Sequence, residues 1–361
     1  MTAFADLCLL TRIALGTEAD PAAAIRAARL DPDATILLAF QHRVAAFLGR
    51  LTHDPAAAPL LPATLFDAFS LAEEANGARN AMIREQLAET LARLNAAGIV
   101  PIVLKGGARL VDGTFTLSER FMEDLDLLIP EPQITEAMAI LEAAGYAPFG
   151  DESRLAEEHH HLPALWHDEW PVGLEIHRIV THDWYPALLS ASGIFEHASP
   201  VAFGGATARI ASPSDSLLHL VVHAQVNHKR LLSGSVLLSE VVEFAMLARR
   251  HGMADVIAAD AEARAGGVGL GFATFAHVCE RSVGTPPLPR VSRMARGLGH
   301  RTLWQQEHPW AQRSGEALAF VAEHALSLRH RPSVRRRFPG RFGERAFYQS
   351  RWREIRRILA R

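Results

Sequence analysis

Between residues 99 and 180, a chain whose apolar residues otherwise recur at helical spacing turns three times to strand-like patterning. Residues 99–104 (IVPIVL) form a short β-branched run, too short for a buried helix, bounded by Gly98 and by Lys105-Gly106-Gly107. Residues 122–129 (MEDLDLLI) are the second run, closed by Pro130. Residues 172–180 (VGLEIHRIV) are the third, strictly alternating from 172 to 177. Ile134, Met138, Ile140 and Leu141 predict a helix between the second and third runs, ending at Gly145. Strands separated by a helix in this order predict a small α/β layer over about 95 to 210.

The flanks read as helical. In AMIREQLAETLARLNAAG, Met82, Leu87, Leu91 and Leu94 keep to one face, and Gly98 is placed to cap the helix. After Ser212, the run Pro213, Ser214, Asp215 predicts a helix start, and LLHLVVHAQV and SEVVEFAMLARRHG follow as amphipathic helices. The expected organisation is an N-terminal helical region (1–95), an α/β core (96–211), a C-terminal helical domain (212–328) and an Arg-rich tail (329–361). No repeat of 20 to 50 residues interrupts it.

Composition narrows the classes of function. With 361 residues, 49% apolar and 21% charged, the chain can bury a sizeable core and is not of disordered type. Cys8 and Cys279 form no CxxC pair, which argues against a disulfide framework, a zinc knuckle or a redox motif and fits a reducing cytoplasm. The first residues lack a basic stretch, and no uncharged apolar run reaches the roughly 18 residues a bilayer needs, so no membrane partner is expected. The net charge of −3 hides an asymmetry: the tail carries 12 Arg against Glu344 and Glu354, a local +10, leaving −13 on the first 328 residues. Within the tail, Tyr348, Trp352, Ile355 and Leu359 give a terminal helix one apolar seam and an Arg-rich back. Such a helix more often docks its seam than binds nucleic acid, which is not expected as a partner. Of 37 basic residues only Lys105 and Lys229 are lysine.

The chemistry lies on the strands. Asp124 and Asp126 are one residue apart, so both side chains leave the same face while Leu125 and Leu127 face the core. Two close carboxylates repel unless a cation sits between them, and a divalent metal is the common answer at neutral pH. Glu175, on the alternating third strand, is placed to supply a third carboxylate. Gly106 and Gly107 follow a strand and open a helix, which offers backbone N–H groups to an anion beside Lys105. An alternating half-buried strand with aspartates on its wet face would look the same as DLD alone; the joint pattern is what points to phosphoryl or nucleotidyl transfer.

The stretch VLKGGARLVDGTFTLSERFMEDLDLLIP, followed by GLEIHRI, resembles the bacterial family of uncharacterised nucleotidyltransferases, a branch of the polymerase-β-like superfamily. The matching elements are Leu104-Lys105-Gly106, Arg120, the DLDLL of 124–128, Gly145-Tyr146 and Glu175-Ile176-His177. The usual Gly-Ser turn of the superfamily reads Lys-Gly-Gly here. The resemblance implies an α+β fold with a small mixed sheet of nucleotidyltransferase type between two helical regions. It implies that Asp124, Asp126 and Glu175 ligate Mg²⁺ (or Mn²⁺), and that Glu175 helps deprotonate the attacking hydroxyl. Lys105, Gly106 and Gly107 would hold the phosphates of an NTP, expected to be ATP, and Arg120 would neutralise phosphate charge or lock the Asp-bearing strand. The acceptor, a small molecule, peptide or protein side chain, is left open.

Eighteen histidines are a second signal, six of them between His159 and His182. Their spacing matches no standard structural zinc site. His161 and His177 are the two placed near the cleft, as acceptor or phosphate contacts. His219 and His223 share a helix face, but Leu220 stands where a zincin would have Glu, so a packing face is the stronger expectation. Lys229 ends that helix and either reaches a nucleotide or complements the helix dipole. There is no GxxxxGK[ST] and no GxSxG, and GGVGLG at 266–271 misses the dinucleotide spacing. The rival to an enzyme is a non-catalytic nucleotide-binding scaffold that recruits a partner through its basic tail.

Overall fold

The computed structural model describes residues 2–148, 162–180 and 188–330. Residues 331–361 of the tail and the histidine triplet of 159–161 lie outside the described residues. The architecture is α+β: a seven-stranded mixed sheet set against two helical regions.

The sheet strands are β1 (Ile102–Val103), β2 (Asp124–Leu128), β3 (Ala147–Pro148), β4 (Leu165–Trp166), β5 (Gly173–His177), β6 (Ser199–Phe203) and β7 (Ala206–Ile210), in the order β3-β4-β5-β2-β1-β7-β6. The three strands read from the sequence are the centre of the sheet, each shorter than its apolar run. β2 runs antiparallel to β1 and parallel to β5, with Asp126 opposite Glu175 and Leu128 opposite His177. The β6–β7 hairpin lies beyond the three sequence-read strands. It turns at Gly204 and Gly205, both at positive φ (58° and 83°), the backbone that a two-residue hairpin turn demands.

Period two gives the sheet two unlike faces. Leu125, Leu127, Leu174 and Ile176 point to one side, where they pack with Ile83, Leu87, Leu91 and Leu94 of the helix Ala63–Ala96 and with Ala137 and Leu141 of the helix Ile134–Ala143. Ile83 takes the buried position expected of Met82, which is 46% exposed, because Ile83 lies four residues before Leu87 and so in line with it. Beyond this helix Gly98 adopts φ +76°, and Ile99 N–H returns to the carbonyl of Leu94, closing the end and launching the chain toward β1.

The opposite face carries Asp124, Asp126, Glu175 and His177, together with the apolar Ile102, Leu104 and Leu128. Those three join a core built jointly by the N-terminal helices (Leu7, Leu10, Phe47, Phe69) and the C-terminal ones (Leu217, Phe244, Phe272, Phe275). Cys8 and Cys279 are both free thiols buried in this core, and burial pushes the Cys8 thiol up to about 12. No helix among the described residues is long and apolar enough to cross a membrane.

Candidate active site

The site is assembled where the polar face of the sheet meets the helix Lys105–Asp112. That helix starts one residue after Leu104, and no side chain caps its first turn. Its N-terminal amides therefore remain available to an anion, as the Gly-Gly pair suggests. Lys105 itself sits at φ 45°, a left-handed backbone that L side chains rarely adopt. The two glycines serve different ends. A Cβ on Gly106 would run into the guanidinium of Arg120 and come within 2.8 Å of Met122 Cγ. A Cβ on Gly107 would stand 2.8 Å from Val103 Cγ1 and 3.2 Å from Leu125 Cδ2, so Gly107 lets the helix lie directly on the sheet.

Asp126 is the centre of the polar cluster and is fully buried. Its Oδ1 accepts from Lys105 Nζ at 2.6 Å and lies 2.7 Å from His177 Nε2. Its buried Oδ2 has no hydrogen-bond partner among the described residues. Glu175 Oε2 lies 3.6 Å from the same His177 nitrogen, the two side chains leaving the same face of β5 two residues apart. Burial opposes the charge of Asp126, but Lys105 and the His177 hydrogen bond outweigh it and hold the carboxyl well below its ordinary range. The two carboxylates in turn raise His177 against the effect of its own burial. Lys105 is raised in the same way, by Asp126, Asp124 and Glu175.

Asp124 behaves in the opposite sense. Burial, then the neighbouring Asp126, push its carboxyl up to about 7, and Lys105 offsets only part of this. The strand thus holds one carboxylate that is firmly ionised and one that at neutral pH is near half-protonation. An unsatisfied buried Oδ2 on the first and a repelled carboxylate on the second fit a site made for a divalent cation. Asp126, Glu175 and His177 also bring ligand atoms within 4.8 Å of one another.

A cavity of about 380 Å³ opens beside these groups. Of the residues singled out in the sequence, Lys105, Gly106, Asp124, Glu175 and Arg120 line it, while Asp126, Gly107 and His177 lie behind the lining. Lys229 does not line it. Its left-handed backbone (φ 59°) turns the chain out of a π-helical turn, His223–Asn227, and its neighbours His228 and Arg230 reach the cavity instead. His219 and His223 line it too, both kept neutral by burial. His161 lies outside the described residues.

Arg120 lines the cavity and is also held by the C-terminal helices. Its Nη2 is 2.7 Å from Glu243 Oε2, and Arg109 of the cradle helix reaches the other oxygen of the same carboxylate at 3.4 Å. Glu243, buried on the helix Leu238–His251, therefore ties the C-terminal helices to both the Asp-bearing segment and the glycine turn. Sequence reasoning missed it because Glu243 lies in an ordinary amphipathic helix. The only hint is that it falls on the same face as Leu247.

The family model for uncharacterised nucleotidyltransferases matches residues 28–284. The chain belongs to this family. No curated protein matches it significantly. Among solved structures, the antibiotic-resistance factor ANT(2'')-Ia, determined in solution, is similar at 14% identity and a TM-score of 0.37, over 54% of this chain and 96% of that one. As a nucleotidyltransferase, the enzyme belongs to a class that moves a nucleoside monophosphate from a nucleoside triphosphate and generally uses a divalent metal. In this nucleotidyltransferase the matched span takes in the sheet, the cradle helix and Glu243 together.

Proposed function

We propose that the protein transfers a nucleoside monophosphate from an NTP, with ATP the expected donor, to a hydroxyl-type acceptor on a small molecule, peptide or protein side chain. The observation that carries this reading is the convergence of Asp124, Asp126 and Glu175 on one sheet face beside an uncapped helix N-terminus. Acidic groups and an anion cradle within one cavity are the pairing that a triphosphate with its counter-cation requires.

In this reading the first-turn amides of Gly106 and Gly107 receive phosphate oxygens, with Lys105 beside them. Lys105 shares its ammonium between Asp126 and the incoming phosphates, standing in for the hydroxyl of a Gly-Ser turn. Asp124, Asp126 and Glu175 are the residues that would hold Mg²⁺ or Mn²⁺, which when bound supplies charge neutralisation for the entering and leaving oxygens. Glu175, at the cavity edge, takes the proton of the acceptor hydroxyl as it attacks the α-phosphorus and pyrophosphate leaves. His177 fixes the orientation of Asp126 and Glu175 from behind. Arg120, held by Glu243, braces the turn at Gly106. Lys229 is left out of the phosphate-binding set, because it neither lines the cavity nor belongs to the helix Lys105–Asp112 whose first turn faces it.

The test is calorimetric titration of ATP into the chelator-treated protein, with and without Mg²⁺. Metal-dependent binding that is lost in Asp126→Asn, with the circular dichroism spectrum unchanged, is expected. Binding that ignores both the metal and the substitution would support a non-catalytic nucleotide-binding scaffold instead. Incubation with α-labelled NTP and candidate acceptors then separates the acceptor classes, since only a peptide or protein acceptor leaves label on polypeptide.

A further inference from the structure

The cavity has a second group of ligand-type side chains, apart from the carboxylates of β2 and β5. His223 and His228 stand at the two ends of the π-helical turn, and Glu240 lies in the first turn of the helix Leu238–His251. One ligand atom from each lies within 4.8 Å of the other two. The winding of the chain is what brings the histidines together. In an α-helix residue 227 would stand over residue 223, but here His228 N–H bonds to the His223 carbonyl at 3.0 Å, five residues back. The imidazole rings meet edge to face, their centroids 4.3 Å apart. One extra residue per turn is a local departure from regular helix, of the kind concentrated at functional sites.

Two further observations concern the same wall. His219, one turn earlier, is 6% exposed, lines the cavity and has a buried Nε2 with no hydrogen-bond partner among the described residues. His223, His228 and Glu240 all line the cavity as well, so an ion held by them would face whatever sits beside the carboxylate centre. The donor sets differ in kind. Asp124, Asp126 and Glu175 offer oxygen only, suited to Mg²⁺ or Mn²⁺. Two imidazoles with one carboxylate suit a borderline-soft ion such as Zn²⁺, and this is a combination found where one coordination position is left open.

We infer that His223, His228 and Glu240 form a Zn²⁺-class site on the cavity wall, distinct from the carboxylate centre, with a fourth position for water or an oxygen of the acceptor. Arg230 is the present partner of Glu240, and an entering ion takes that place. Neither element depends on nucleotide, so the site can be tested whether or not the transferase reading holds.

The experiment is a Zn²⁺ titration of the full-length, chelator-treated protein, followed by Co²⁺ substitution to record the visible bands of a tetrahedral ion. One equivalent is expected to bind, to persist in Asp126→Asn, and to lose affinity about 100-fold or more in His223→Ala and His228→Ala, beyond the 10- to 100-fold that outer-shell partners carry. Should either His variant fail to fold, wild-type crystals soaked in Zn²⁺ give an independent answer. An anomalous peak between His223, His228 and Glu240 supports the site. No uptake, uptake indifferent to His228→Ala, or a peak only at Asp126 and Glu175 overturns it.

Discussion

Asp124 is expected to destabilise the metal-free protein, and its replacement by Asn should reveal how much. An unfolded aspartate ionises near 3.8, whereas here burial and Asp126 move the group to about 7. Between those two values the folded state holds a proton that the unfolded state has released. Stability therefore declines as pH rises through the window from about 4 to 7, and the whole loss is present above it. At about 1.4 kcal/mol per pH unit, three units amount to about 4 kcal/mol at pH 8, against only about 1.5 kcal/mol at pH 5. Asn keeps the shape of the protonated acid without the charge. In chelator, urea unfolding of Asp124→Asn should therefore show a gain over wild type that grows by roughly 2 to 3 kcal/mol between pH 5 and pH 8. Millimolar Mg²⁺ at pH 8 should then stabilise the wild type and leave the variant where it was. A gain that is flat with pH, or a wild type that is the more stable protein at pH 8 in chelator, would refute the claim that Asp124 is strained by its neighbours.

Three other outcomes follow from the same geometry. Glu243→Gln removes the carboxylate shared by Arg109 and Arg120. Because Arg109 keeps Asp112 at 2.6 Å and Arg120 is partly solvated, the expected loss is about 2 to 3 kcal/mol by urea unfolding, with a raised KM for NTP as the glycine turn loosens. Gly107→Ala drives a methyl against Val103 and Leu125 and should lower stability by about 1 to 3 kcal/mol, read as a shift in thermal midpoint. Lys105→Met leaves Asp126 with His177 alone, and calorimetry of MgATP should show affinity falling by about one order of magnitude, the equivalent of one charge-assisted hydrogen bond.

What could be read from the sequence follows the range of each signal. Alternation is a nearest-neighbour property, so the aspartates of β2 and the Glu175 of β5 can each be placed on one face of their strand from sequence alone. The glycine turn was equally legible, since only small residues permit the approach seen at Gly107. The hairpin of 199–210 carried a two-residue Gly-Gly signal but lies in a stretch whose flanking residues, SPVAF and ATARI, are weakly apolar. β3 and β4, at two residues each, are too short for any periodicity. The ties that complete the site are long-range. Glu243 meets Arg120 across 123 positions, and locally only its place on the buried face of its helix marks it. His228 was missed for another reason: a count based on 3.6 residues per turn pairs His219 with His223 and puts His228 on a different face, and only the π turn reverses that.

The core shared by the two ends of the chain gives the molecule the topology of an insertion. The segment bearing β1 to β7 leaves one helical body and returns to it, and that body closes behind it, with Arg249 donating to the carbonyl of Leu15 at 2.9 Å. The sheet layer is thus a guest in a host fold. Excised alone, it would expose Ile102, Leu104 and Leu128 and lose the anchor of Arg120. Change in the host is constrained as well: substitutions around Leu10 and around Phe272 fill one volume, so the two helical regions must drift as a pair.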